Sequence, residues 1–183
     1  MSSALIVVDM QNGFLRQGNL ASADNATALE PVIGEVAAAL DAGQWVIFTA
    51  DTHEVDDNEF AVFPQHCVRG TKEAQLVDEL AGFLDRDLTY LLRKRRYSAM
   101  FETELEGLLS RHAIDHVRIC GVCTDICVLH TTADLRNRDI PVTVSAEATA
   151  TFDAPGHPTR ETQRWALSHM QGILGASVDG AVP

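Results

Sequence analysis

The chain has 183 residues, of which 46% are hydrophobic and 22% charged, values that suit an ordinary globular protein with a sizeable core. Its 14 Lys plus Arg against 26 Asp plus Glu give a formal net charge of −12, a surface that repels phosphate backbones and anionic headgroups, so nucleic acid and membrane are not expected partners. The N-terminus, MSSALIVVDM, lacks a basic segment leading a long apolar stretch, so no secretory signal is expected, and no apolar run reaches membrane-spanning length. Three of the four cysteines (Cys67, Cys120, Cys123 and Cys127) crowd into one short stretch, a poor layout for disulfide stapling. That layout points to the reducing cytoplasm.

Residues 4–9 (ALIVVD) form a short apolar run rich in β-branched side chains, the pattern of a strand buried on both faces. Helical spacing follows at Val32, Ile33, Val36, Ala37 and Leu40, with Pro31 near its start and Gly43 past its end. A second buried strand is expected over 45–50 (WVIFTA). Residues 51–71 then read as a long polar loop holding two histidines, and loops of that length in compact domains are usually functional or disordered. A third strand is expected over 88–93, a helix over 101–111, a fourth strand over 116–122 and a helix over about 125–138. A fifth strand over 141–146, a helix near 159–171 and a short sixth strand at 176–178 complete the chain.

Strands alternating with helices predict one α/β domain over 1–183, a three-layer α/β/α arrangement with a mostly parallel, roughly six-stranded sheet. In open sheets of this kind ligands bind beyond the carboxyl ends of the strands. Asp9, Asp51, Lys94 and the segment 121–127 all fall just past such ends.

Each has a chemical reading. Cys127 lies in a strand–turn–helix transition. If Thr124 caps the helix, its first-turn N–H groups and dipole favour a thiolate and can receive an oxyanion. A buried structural thiol is the commoner fate of a free cysteine, and Cys120-x-x-Cys123 lacks the second ligand pair that zinc would want. Asp9 ends an apolar strand, so its carboxylate is partly desolvated and suited to proton transfer. Lys94 can hold an anion in place, although alone it reads as one member of the exposed basic run 93–96. Asp51, His53 and His66 bring oxygen and imidazole donors suited to zinc, iron or manganese, with Glu54, Asp56, Asp57 and Glu59 between the histidines. Phe14, Phe63 and Tyr97, taken singly, are more often core packing than a pocket wall.

The segments VDMQNGF (8–14), KRRYSA (94–99) and GVCTDICV (121–128) together resemble the isochorismatase-like cysteine hydrolases, and within them most closely the nicotinamidases. The likeness extends to ALSHM (166–170) and LGA (174–176), and so spans nearly the whole chain in order. It implies a nicotinamidase that hydrolyses nicotinamide, and pyrazinamide, in NAD salvage. Cys127 would be the nucleophile, Asp9 the proton carrier and Lys94 the residue that orients Asp9, with the backbone N–H groups of Cys123 and Cys127 as oxyanion hole. The Val122–Cys123 peptide would be cis. The likeness further implies a small aromatic amide between Phe14, Phe63 and Tyr97, and one divalent metal, zinc first, on Asp51, His53, His66 and a fourth ligand. Glu59 stands seven residues before His66, the offset expected from glutamate-bearing relatives, and is chosen over Asp57. Met100 stands where Phe is commonest in the family and Glu147 where Asp is usual, and the metal loop is shorter than in many relatives. An amidohydrolase acting on an N-carbamoyl or other small amide is the alternative, a non-catalytic binding module a more distant one, and a homo-oligomer is left open.

Overall fold

The computed structural model describes residues 2–181. Six strands form one sheet in the order β3-β2-β1-β4-β5-β6: β1 Ser2–Val8, β2 Trp45–Asp51, β3 Thr89–Lys94, β4 Ile114–Val122, β5 Val142–Ala150 and β6 Ser177–Asp179. Every neighbouring pair is parallel. Parallel neighbours need crossovers, and most of the connecting chain is helical: α1 Asn12–Leu15, α2 Ala23–Ala26, α3 Leu29–Asp41, α4 Asp78–Ala81, α5 Leu105–Arg111, α6 Leu129–Arg136 and α7 Thr159–Gly172.

The alternation of β1 sorts the two halves of the core. Leu5 and Val7 face a cluster with Phe48, Val32, Val36 and Leu80, which covers one face with α3 and α4. Ala4, Ile6 and Val8 face the opposite cluster with Leu92, Leu108, Leu135, Leu167 and Met170, from β3, α5, α6 and α7. A strand buried on both faces needs apolar residues at every position, which is why the run 4–8 shows no polar alternation. Met100 is buried in the second cluster, a packing role that a thioether fills as readily as a ring. Glu147 is exposed within β5 and touches no site group.

Some boundaries differ from those read off the sequence. The helix expected over 101–111 begins only at Leu105, because Glu102 takes a left-handed conformation (φ 52°) and Thr103 Oγ1 accepts the Leu105 N–H at 3.2 Å. Strand β5 runs four residues further than expected. After a register shift between Ile119 and Gly121 of β4, Thr149 and Ala150 pair with Gly121 and Val122. The polar stretch before β3 carries α4 and a 3-10 turn, Gly82–Asp85, neither of which has a long periodic signal. Among the described residues no helix is long and apolar enough to cross a membrane.

The chain lays down β1, β2 and β3 in one direction and then returns to place β4 on the other side of β1. The reversal opens a crevice beyond the ends of β1 and β4. Val8 of β1 registers with Gly121 of β4, and Gly121 sits at φ 110°. A Cβ there would meet the Val8 carbonyl oxygen at 2.1 Å, so only glycine lets these strands approach. Gly121→Ala should lower unfolding stability by about 3 kcal/mol or more. A fall in the urea midpoint checks this, and an unchanged midpoint contradicts it.

Candidate active site

Asp51 and Lys94, the last residues of β2 and β3, are register partners, so the sheet itself sets their side chains next to each other. Lys94 is buried, and its Nζ lies 2.5 Å from Asp51 Oδ1, 2.8 Å from Asp9 Oδ2 and 3.6 Å from Cys127 Sγ. It also donates to the Arg96 carbonyl at 3.0 Å. Asp9 leaves β1 in a left-handed conformation (φ 51°), which Asp tolerates better than most residues. Thr49 of β2 fixes it, donating from Oγ1 to Asp9 Oδ1 at 2.6 Å and accepting the Asp9 N–H at 3.2 Å. One carboxylate oxygen each from Asp9 and Asp51 and the Cys127 sulfur lie within 4.8 Å of one another.

Cys127 arrives from the other side of the crevice. Beyond β4 the Val122–Cys123 peptide is cis, and residues Thr124–Val128 form a π turn that leads into α6. Cys123, with extended backbone, holds the N-cap position, and the Thr124 hydroxyl is buried without a hydrogen-bond partner. Thr124 therefore does not cap the turn, contrary to expectation.

The electrostatics separate the three groups. Burial raises the Asp9 carboxyl from 3.8 to about 6, against the pull of Lys94. Burial also acts on Asp51, but Lys94 and His53 outweigh it and lower the group to about 2. The thiol departs from the expected low value. Burial pushes Cys127 well above 9.0, Lys94 opposes this, and the two carboxylates add to it. At rest the sulfur is a thiol beside a base, not a free thiolate. Lys94 itself is held well above its ordinary value by Asp51 and Asp9, which outweigh its burial.

The loop after β2 brings Asp51, His53, Glu59 and His66 together, with one donor atom from each inside a 4.8 Å group. His53 Nδ1 faces Asp57 Oδ2 at 3.2 Å and His66 Nδ1 faces the Pro64 carbonyl at 2.8 Å. The Pro64 carbonyl only accepts, so the His66 proton belongs on Nδ1 and its Nε2 lone pair turns into the cluster. Both ring nitrogens of His53 and Glu59 Oε2 are buried without hydrogen bonds. His53 Nε2 is 3.8 Å from Asp51 Oδ2 and 3.9 Å from Glu59 Oε1, and His66 Nε2 is 3.9 Å from the same Glu59 oxygen. Those gaps are too long for hydrogen bonds but match ligands that each sit roughly 2.1 Å from one ion. The donor set fits a divalent metal. Burial lowers the pKa of His66, whereas at His53 the surrounding carboxylates outweigh burial and raise it.

Asp57 is committed elsewhere. Its Oδ1 accepts the Glu59 N–H at 2.9 Å, capping the 3-10 turn Asn58–Ala61, and takes Arg96 Nη1 at 2.8 Å. Gln11 had no role in the sequence reading, yet its side chain donates to the Asp51 carbonyl and accepts the Asp51 N–H, each at 2.8 Å, locking the strand end. A side-chain amide imitating a neighbouring strand leaves no periodic signal.

A cavity of about 320 Å³ joins the two clusters, lined by Asp51, Glu59 and His66 and by Cys123 and Cys127. Phe14, Phe63 and Tyr97 all line it, with Phe63 and Tyr97 edge to face at 6.3 Å. Leu20, Ile126 and Phe152 complete the apolar wall, and none of these three was read from sequence.

A family profile described as the isochorismatase domain matches residues 3–179. The chain belongs to the isochorismatase family. Among its family relatives is the isochorismatase family protein PncA of Bacillus subtilis, 33% identical over 97% of this chain and 99% of that one. The crystal structure of nicotinamidase PncA from Bacillus subtilis superposes with a TM-score of 0.89 at 31% identity, covering 98% of this chain and 100% of that one. A second family structure, N-carbamoylsarcosine amidase from Thermoplasma acidophilum, gives 0.85 at 29%, covering 98% and 96%. These likenesses mark the chain as a hydrolase of this family.

The buried charges also predict a pH signature of stability. Asp9 is raised, so the folded chain holds its proton more tightly than the unfolded chain. That contribution is complete below pH 3.8 and is lost as pH rises through about 6. Asp51 is lowered, so its contribution is present above 3.8 and lost as pH falls through about 2. Lys94→Met removes the cation from both carboxylates and raises both. In the metal-free protein its urea-unfolding deficit should be about 3–5 kcal/mol near pH 8 and much smaller near pH 4.5. A deficit independent of pH would contradict this account.

Proposed function

We propose that this family member is a nicotinamidase, hydrolysing nicotinamide to nicotinate and ammonia through a thioester on Cys127. The observation that carries the proposal is the cavity. Its aromatic walls lie between a thiol paired with a buried base at one end and a cluster of metal donors at the other. A flat ring with a carboxamide and a ring nitrogen fits that arrangement, and pyrazinamide has the same features. N-carbamoylsarcosine, acyclic and lacking a ring nitrogen, makes less use of it.

In the proposed reaction the Cys127 sulfur attacks the amide carbon while its proton passes to Asp9. Such a transfer suits a thiol that is protonated at rest and a carboxylate of intermediate basicity. The backbone N–H groups of Cys123 and Cys127 receive the oxyanion. Asp9 returns the proton to nitrogen as the C–N bond breaks and ammonia leaves. Water then adds to the thioester, giving a proton to Asp9, and collapse of that adduct expels the sulfur, which takes the proton back. Lys94 keeps Asp9 oriented and balances the charge between the two carboxylates. Asp51, His53, Glu59 and His66 would hold one divalent ion, zinc by preference, with iron or manganese also suited to the donors, supplying a Lewis-acid contact for a ring nitrogen. We assign the activity to NAD salvage in the cytoplasm, where the four free thiols would persist.

Ammonia release tests this directly, with nicotinamide expected to exceed N-carbamoylsarcosine in kcat/KM. The reverse order would move the chain to the other branch of the family. Cys127→Ala and Asp9→Asn should each lower kcat by roughly a thousandfold or more while the protein stays folded. For the wild type, kcat/KM should fall on the acid side as pH drops through about 6, because only ionised Asp9 accepts the thiol proton.

Metal analysis separates the two acidic residues of the loop. Glu59→Ala should lose the ion outright. Asp57→Ala, which only orients His53 and the 3-10 turn, should weaken binding by roughly ten- to a hundredfold and still load at excess metal. Loaded Glu59→Ala beside empty Asp57→Ala would reverse the assignment.

A further inference from the structure

The residue after β5, Thr151, opens a segment that neither the proposed chemistry nor the metal cluster uses. Phe152, Asp153 and Ala154 of this segment line the cavity. Behind them the backbone folds back on itself, Ala154 and His157 exchanging hydrogen bonds at 3.2 and 2.8 Å around Gly156. The His157 ring lies flat on the Phe152 ring, with centroids 4.3 Å apart and planes 9° apart. Its Nδ1 is 2.9 Å from the Phe152 carbonyl oxygen, and its Nε2 is 2.8 Å from Asp125 Oδ2. Asp125 belongs to the π turn between Cys123 and Cys127, and its other oxygen accepts the Thr151 hydroxyl at 2.5 Å.

One protonation state satisfies this pattern best. A carbonyl oxygen can only accept, and the carboxylate oxygen facing Nε2 accepts as well. A neutral imidazole carries one N–H and can satisfy one of them, whereas an imidazolium satisfies both. The charged ring also gains from lying against the face of Phe152. We propose that His157 is a positioning residue: as an imidazolium it clamps the Phe152 wall of the cavity to Asp125 in the turn that carries Cys127. Deprotonation removes one of the two hydrogen bonds and the cation–ring attraction, so the wall and the turn come apart.

The surroundings support the charge. Burial of His157 works against it, but the adjacent Asp125 carboxylate outweighs burial and holds the ring above the ordinary imidazole value. Asp125 is the charged group that faces it from the π turn. Asp153, in its own segment, is engaged with the Thr159 N–H at 3.3 Å, and Asp24 of α2 with the Thr159 hydroxyl at 3.5 Å. The His157 side chain is 24% exposed, so it exchanges protons with solvent.

The structural part of this proposal stands without any substrate, and only its kinetic consequence rests on the nicotinamidase reading. NMR titration of the full chain, with the His157 signal assigned by its loss in His157→Gln, should give a pKa above the free value of about 6.5. Asp125→Asn should bring that pKa down, and the Phe152 ring resonances should shift with the same midpoint in the wild type. A His157 that titrates at or below the free value, unmoved by Asp125→Asn, overturns the proposal whether or not nicotinamide is hydrolysed. With nicotinamide, KM should rise roughly three- to tenfold as pH passes the His157 midpoint, with kcat changing less. This alkaline rise should move to lower pH in Asp125→Asn and vanish in His157→Gln. An alkaline rise in KM identical in all three proteins would also overturn it. Circular dichroism melts accompany each variant. If His157→Gln does not fold, the Asp125→Asn titration and kinetics decide.

Discussion

The ammonium of Lys94 holds together two carboxylates that could not otherwise share a dry crevice. Removing charges from water costs several kcal/mol per ion, and the cost is recovered only where geometry is good and the remaining hydrogen-bonding capacity is filled. Here the sheet provides the geometry: Asp51 and Lys94 are register partners at the ends of adjacent strands, and Asp9 comes from the next strand over. Because one cation serves both acids, their other neighbours decide how the charge divides. Asp51 has His53 as well and stays ionised, whereas Asp9 has a hydroxyl and an apolar setting and sits near the middle of the pH scale. Two like groups thus acquire unlike properties, one suited to being a ligand and the other to carrying a proton.

The same environment governs the sulfur. A cysteine at a helix start invites the inference of a depressed pKa, and that inference is sound for an exposed turn. In this turn the thiol is buried and faces two acids, so desolvation and repulsion exceed the help from Lys94. A buried thiol next to a base of intermediate strength is a different device from a preformed thiolate. In the proposed reaction it would need the base in every cycle, and that need ties Cys127 to Asp9 more closely than proximity alone would.

The chain's strands were legible because they are buried on both faces. Runs such as 4–8 and 45–50 have no other economical reading, and their carboxyl ends mark where Asp9 and Asp51 must lie. An Asp-x-His pair at a strand end leaves few directions for its side chains, so Asp51 and His53 facing one point was legible too, whereas His66 and Glu59 joined them only through the family resemblance. Preference for Glu59 over Asp57 came from an offset in relatives. The structure adds a physical ground in the cap and the Arg96 contact that occupy Asp57. What escaped the sequence was cross-chain. Gln11 reaching Asp51, Thr49 reaching Asp9 and His157 reaching Asp125 join residues with no shared periodicity, so no local pattern announces them. Helix starts escaped too where a single left-handed residue such as Glu102 interrupts a good amphipathic pattern.

The position of the cavity follows from the order of the strands. The order in which strands are added reverses between β3 and β4, and beyond the ends of β1 and β4 the buried Asp9 follows one strand and the Cys127 turn the other. Those groups rest on strand ends and a sheet-anchored lysine, and are therefore stiff. The aromatic walls of the cavity are different in kind: Phe14, Phe63, Tyr97 and Phe152 come from short helices and loops whose positions depend on a few side-chain contacts. The structural neighbours include both a nicotinamidase and an N-carbamoylsarcosine amidase, so one fold serves different substrates through what is grafted on it. If the chain acts on amides as proposed, selectivity among them would reside in the contacts that hold the walls. On the proposed reading, the His157 clamp on Phe152 would act on substrate choice, even though it touches no reacting atom.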